Sequence, residues 1–137
     1  PSMLCIEDAI HSLKWVDSIG GANTMIKRSL SNLQVIEKWE SKTNWIEFLA
    51  KNKDTRSSTS ICLKIIDPWF LQLSTDSKKE ILQSFFSLLE EKEAAYDINH
   101  YPSAPPGIRI WGGGTVETSN IELLLPWLDW AWEYIEK

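Results

Sequence analysis

Apolar residues along this chain recur first at helical spacing. Ile6, Ala9, Ile10, Leu13 and Val16 fall three and four residues apart between about Cys5 and Ser18, the pattern of an amphipathic helix. Gly20-Gly21 closes that segment. A second helix is predicted from about Asn23 to Ser41, with Ile26, Leu30, Leu33 and Ile36 on its apolar face and Lys27, Arg28, Gln34 and Lys38 elsewhere. The period then shortens to two. Trp45 to Phe48 reads as a short strand, Lys51 to Ser58 as a polar loop, and Ser60 to Ile66 as a strand with Ile61, Leu63 and Ile65 on one face. Asp67-Pro68 breaks it. Ser77 and Glu80 fit a capping box for a helix running to about Glu93. Tyr96 to His100 and Ile108 to Trp111 read as two further strands, separated by Pro102, Pro105 and Pro106. Ser119 and Glu122 are placed to cap a last helix carrying Ile121, Leu125, Leu128, Trp132 and Ile135; Pro126 either kinks it or belongs to its first turn. The order of elements predicts an α+β domain, an antiparallel sheet packed against helices.

With 137 residues, 43% of them hydrophobic and 24% charged, the chain has the composition of one globular domain. Its formal charge of -5 has the wrong sign for neutralising nucleic-acid phosphates, so a DNA or RNA partner is not expected. No run of apolar residues is long enough to span a bilayer and no signal-peptide pattern opens the sequence, which predicts a cytoplasmic protein without a membrane partner. Cys5 and Cys62 stand apart from each other and from the histidines, and read as buried free thiols rather than metal ligands. Eight tryptophans are unusual; most fall on periodic apolar faces where packing accounts for them, the alternative being an aromatic platform.

Candidate chemistry is sparse. His11 and His100 have no nucleophile elbow to serve, and Glu90-Glu91 diverge on adjacent helix positions. Gly112-Gly113-Gly114 follows a strand and precedes a helix, but it lacks the lysine and second glycine of a P-loop; turn geometry or close packing is favoured over a phosphate cradle. Arg109, inside the strand Ile108-Arg109-Ile110, must snorkel, pair structurally or serve a ligand. Its planar fork suits a carboxylate bidentately, as lysine does not.

Three stretches carry a more specific signal: Thr55-Arg56-Ser57-Ser58-Thr59-Ser60-Ile61-Cys62-Leu63-Lys64, Ala104-Pro105-Pro106-Gly107-Ile108-Arg109-Ile110-Trp111-Gly112, and Leu125-Pro126-Trp127-Leu128-Asp129-Trp130. Together with the opening Pro1 to Asp8, and in the same order and spacing along essentially the whole chain, they resemble phosphoserine aminotransferase. The resemblance implies the C-terminal small domain of a fold-type I enzyme over residues 1–137, working in the intact protein as a homodimer with pyridoxal 5'-phosphate. It implies transfer of an amino group from L-glutamate to a phosphorylated keto acid, 3-phosphohydroxypyruvate, in serine biosynthesis. It also implies that the cofactor-bearing lysine belongs to a large domain outside this chain, so that the chain alone is expected to be inactive and to bind no cofactor. Arg109 matches the family's strand-borne arginine for the substrate α-carboxylate. His100 matches a position that helps bind the substrate phosphate, although the arginine that follows it in some members is here Tyr101. A free-standing binding or regulatory module using tryptophan-rich faces is the rival reading.

Overall fold

The strand alternation read from the sequence survives folding, and it organises the core. The computed structural model describes residues 2–136. β1 (Ile46–Phe48), β2 (Ser60–Ile65) and β3 (Gly107–Trp111) form an antiparallel sheet in that order. Ile46 lies opposite Ile65, Phe48 opposite Leu63, and Cys62 opposite Arg109. Because side chains alternate along a strand, this register puts Ile46, Phe48, Ile61, Leu63, Ile65, Ile108 and Ile110 on one buried face. Glu47, Ser60, Cys62, Lys64, Arg109 and Trp111 are left on the other.

Helices cover only the apolar face. α1 spans Met3–Ser18, α2 Gly21–Glu40, α3 Pro68–Leu71, α4 Thr75–Glu91 and α5 Thr118–Glu136, with a 3-10 turn at Lys53–Thr55. Ile36 of α2, Leu82, Phe85 and Leu89 of α4, and Ile121, Leu125, Leu128 and Trp132 of α5 close the core against the sheet. The result is the predicted α+β architecture, two layers with one sheet face open. α1 and α2 meet at Gly20 and Gly21, whose φ angles of 106° and 73° lie in the left-handed region that favours glycine.

Several details depart from the sequence reading. Tyr96 to His100 is not a strand: Asp97 turns into the left-handed region at φ 51°, and only an isolated bridge between Asn99 and Ile108 remains. The α4 cap is Ser74, whose hydroxyl accepts from the Ser77 amide at 3.1 Å; Ser77 is the third helical residue rather than the cap, and the helix stops at Glu91. Asp67-Pro68 ends β2 and also starts α3, with the Asp67 carboxylate accepting from the Trp69 amide and proline at the first helical position. α5 begins at Thr118, ahead of the expected cap Ser119, and Pro126 lies inside it rather than in its first turn. The faces of α1 and α2 differ most. Nothing on α1 is buried, and Ile26 and Leu30 of α2 are exposed while Ser29 and Asn32 are buried. Cys5, expected inside, is exposed, and Cys62 is half-buried on the open face of the sheet.

Half of the tryptophans are structural. Trp45 and Trp132 stack at 4.8 Å, with Trp39, Trp69, Phe70 and Phe85 packed edge-on or tilted around them. Two carboxylates tie this cluster down. Asp129 accepts from the indole N–H groups of Trp39 and Trp45, each at 2.8 Å, and Asp67 from that of Trp132 at 3.0 Å.

Candidate functional site

Strand pairing alone places Arg109 on the open face of the sheet. Its neighbours in sequence, Ile108 and Ile110, are buried, so the guanidinium must emerge on the opposite side, where its stem lies beside Cys62 of β2. The turn at Asp97 brings acceptors to it. Nη2 donates to the Asp97 carboxylate at 3.3 Å and to its carbonyl at 3.4 Å, and Nε donates to the Asn99 carbonyl at 3.5 Å. These contacts are long, and Asp97 is 89% exposed. Nη1 makes no hydrogen bond among the described residues. The guanidinium carbon sits 5.0 Å from the centre of the Tyr101 ring, whose hydroxyl is 3.2 Å from that of Ser60.

The other two arginines are held differently. Arg56 is paired with Glu37 at 2.7 Å, donates to the Ala50 carbonyl and lies 3.9 Å from the centre of the Phe48 ring. Arg28 donates to the Gly114 carbonyl at 2.6 Å and is paired with Glu117. Both fasten loops to helices. What sets Arg109 apart is the length of its contacts and the exposure of its partner: it is held at 3.3–3.5 Å, by a solvated carboxylate and two carbonyls, a state that an incoming carboxylate can replace at little cost.

His100 lies elsewhere. Its ring lines a recess of about 410 Å³ with Lys79, Gln83, Phe86, Ser87 and Glu90 of α4, and Arg109 is not among the lining residues. The buried Nδ1 of His100 has no hydrogen-bond partner among the described residues. The two residues singled out from the sequence therefore do not converge on one pocket. Tyr101, noticed in the sequence only as a departure from a family pattern, is the residue that meets the Arg109 guanidinium.

The glycine run is structural as well. The amide of Asn32, fully buried on α2, donates to the Gly112 carbonyl at 3.0 Å and the Val116 carbonyl at 3.1 Å, and its oxygen accepts from the Thr118 hydroxyl at 2.7 Å. A Cβ on Gly112 would come within 2.7 Å of the Ile61 side chain, and one on Gly114 within 2.9 Å of the Met25 backbone. Close packing accounts for these glycines. Among the described residues no group of three or more side chains could hold a metal ion, and no helix is long and apolar enough to cross a membrane.

No family model matches the chain. It is 42% identical over 136 residues to the phosphoserine aminotransferase of Methanosarcina mazei and 43% identical, over the same length, to that of Methanosarcina barkeri. Each match covers 99% of this chain and 34% of the relative. Two solved structures of phosphoserine aminotransferase, from work on radiation damage of its Schiff base, share the fold with a TM-score of 0.68 at 18% identity, over 88% of this chain and 30% of theirs. In sequence along nearly all its length, and in fold, the chain is a relative of the phosphoserine aminotransferases, spanning about a third of the length of the curated relatives it matches.

Proposed function

We propose that this chain is the C-terminal small domain of a phosphoserine aminotransferase, and that Arg109 binds the α-carboxylate of its substrates. The intact enzyme would pass an amino group from L-glutamate to 3-phosphohydroxypyruvate, giving phosphoserine and 2-oxoglutarate, as a cytoplasmic homodimer. The observation that carries this reading is the poise of Arg109: a guanidinium on an open sheet face, backed by Tyr101, with Nη1 uncommitted and Nη2 in long contact with an exposed aspartate. A substrate carboxylate would take the place of Asp97 in a bidentate pair. His100 faces α4, in a recess that Arg109 does not line.

Pyridoxal 5'-phosphate supplies the electron-withdrawing ring for such transfers, and the residues of this chain do not fit it. Of its half-buried lysines, Lys64 is paired with Glu47 at 2.7 Å and Lys78 donates to the Leu71 carbonyl at 2.9 Å, so neither is free to carry a Schiff base. In the glycine run, the Gly112 amide already donates to the Thr59 carbonyl at 2.7 Å and so is not free to hold a phosphate. A lysine and ring-binding groups would have to come from the part of the intact protein that this chain does not span.

Substitution of Arg109 in the full-length polypeptide tests the reading. Charge-assisted hydrogen bonds contribute about 1.5–3 kcal/mol, so Arg109→Lys should lower kcat/KM for glutamate by roughly one to two decades, and Arg109→Ala by more. Stability should barely move, because exposed ion pairs of the Arg109–Asp97 kind are worth about 0–1 kcal/mol. Near-normal kinetics in a folded Arg109→Ala enzyme would remove Arg109 from the substrate site.

A further inference from the structure

The contacts on the Arg109 guanidinium are of two kinds. Its N–H edge is met by the Asp97 carboxylate and carbonyl and by the Asn99 carbonyl. Tyr101 takes up none of its donors: the guanidinium carbon lies over the tyrosine ring, 5.0 Å from the centre. A carboxylate that engages the edge bidentately displaces Asp97 but leaves the ring contact in place, because a guanidinium points its donors outward in its own plane and offers its face to an aromatic ring. Tyr101 is therefore a neighbour that can hold Arg109 both with and without a ligand.

The ring is itself held, although it is 47% exposed. The segment before it is laid along β3, with the Arg109 amide donating to the Ile98 carbonyl at 2.8 Å and a bridge joining Asn99 to Ile108. His100 turns the other way, into the recess against α4. The Tyr101 carbonyl accepts from the Ala104 amide at 2.9 Å, closing a turn, and the hydroxyl lies 3.2 Å from that of Ser60 at the start of β2. Main chain and hydroxyl thus fix both ends of the tyrosine, and neither tie uses the Arg109 side chain. A long side chain ordered in advance loses less freedom when its ligand arrives.

We propose that Tyr101 is a positioning residue whose ring keeps the Arg109 fork ordered for the substrate, a role that rests on the assignment of the α-carboxylate to Arg109. The test uses the full-length polypeptide and measures KM and kcat for glutamate. Two ring-free variants, Tyr101→Leu and Tyr101→Gln, should each raise KM roughly fivefold, the worth of an exposed cation–π contact, with kcat within about twofold of wild type. Tyr101→Phe keeps the ring and should recover most of that loss. Combined with Arg109→Ala, the ring-free variants should lower kcat/KM no further, because a residue acting through Arg109 then has nothing to position. Thermal unfolding verifies that each variant is folded. An unchanged KM in the ring-free variants, a Tyr101→Phe enzyme as impaired as they are, or an equal loss with and without Arg109 would overturn the proposal. Normal kinetics in Arg109→Ala would remove Arg109 from the substrate site and Tyr101 with it, whereas an impaired Arg109→Ala enzyme beside normal ring-free variants would sink the role of Tyr101 alone.

Discussion

Asn32 does more for this fold than its polarity suggests. It is fully buried, and its amide fastens the loop that joins β3 to α5 by bonding the carbonyls of Gly112 and Val116 and the hydroxyl of Thr118. A buried carbonyl stripped of its donor keeps its desolvation cost. Asn32→Ala should therefore destabilise the chain by about 2–4 kcal/mol, seen as a lower midpoint in denaturant unfolding with an unchanged slope. Asn32→Asp should be at least as damaging, because a carboxylate cannot donate to those carbonyls. A loss below about 0.5 kcal/mol for Asn32→Ala would mean that water replaces the amide without penalty. Arg109 is the converse case. Its visible partner is solvated and distant, so its removal should be felt in substrate binding more than in folding.

Element boundaries follow from single hydrogen bonds that sequence spacing approximates. Ser74, Ser77 and Glu80 are spaced so that either serine could open α4, and only geometry separates them. The Ser74 hydroxyl accepts from the Ser77 amide, while the Ser77 side chain accepts from the Ser74 hydroxyl. Loss of an N-cap costs about 1 kcal/mol, so Ser74→Ala should lower stability by that amount and Ser77→Ala by only a few tenths. Chemical denaturation of the two single variants distinguishes them. Equal losses would move the cap to Ser77, and no loss from either would mean that the helix start is held by α3 and the loop before it.

Across the whole molecule, stability should be distributed unevenly. The sheet is sealed on one side by α2, α4 and α5, whereas α1 buries nothing and packs principally on α2. Amide hydrogens of α1 should therefore exchange well before those of β2 and α4, because opening α1 exposes little apolar surface that is not already wet. Hydrogen exchange by mass spectrometry measures this directly, and protection of α1 equal to that of the core would contradict it. Leu4, Leu13, Ile26 and Leu30 stand in solvent on these two helices. Exposed apolar surface of this kind favours concentration-dependent association of the isolated chain. Light scattering should detect that association, and Leu13→Glu should reduce it while leaving the free energy of unfolding within about 0.5 kcal/mol of wild type.

The periodicity of the chain located α1, α2, α4 and α5 but not the short α3, placed the three strands to within one residue at each end, and fixed the inward face of β2, because alternation by two or by three and four residues reflects burial directly. It also placed Arg109 inside a strand, between Ile108 and Ile110, within a stretch that resembles a known family. Where a residue's role depends on a distant partner, local pattern could not reach. Tyr96 to His100 has strand-like composition, yet the left-handed turn at Asp97 serves the contact with Arg109. The apolar stripe of α2 pointed to Ile26 and Leu30, but the helix turns inward Asn32, which donates to the glycine loop, and Ser29, which donates to the Ile26 carbonyl one turn back. The mate of Arg109, the orientation of His100 toward α4 and the division of the tryptophans between core and surface were decided only by tertiary packing. Each depends on residues brought together across the chain, for which sequence spacing carries no local signal.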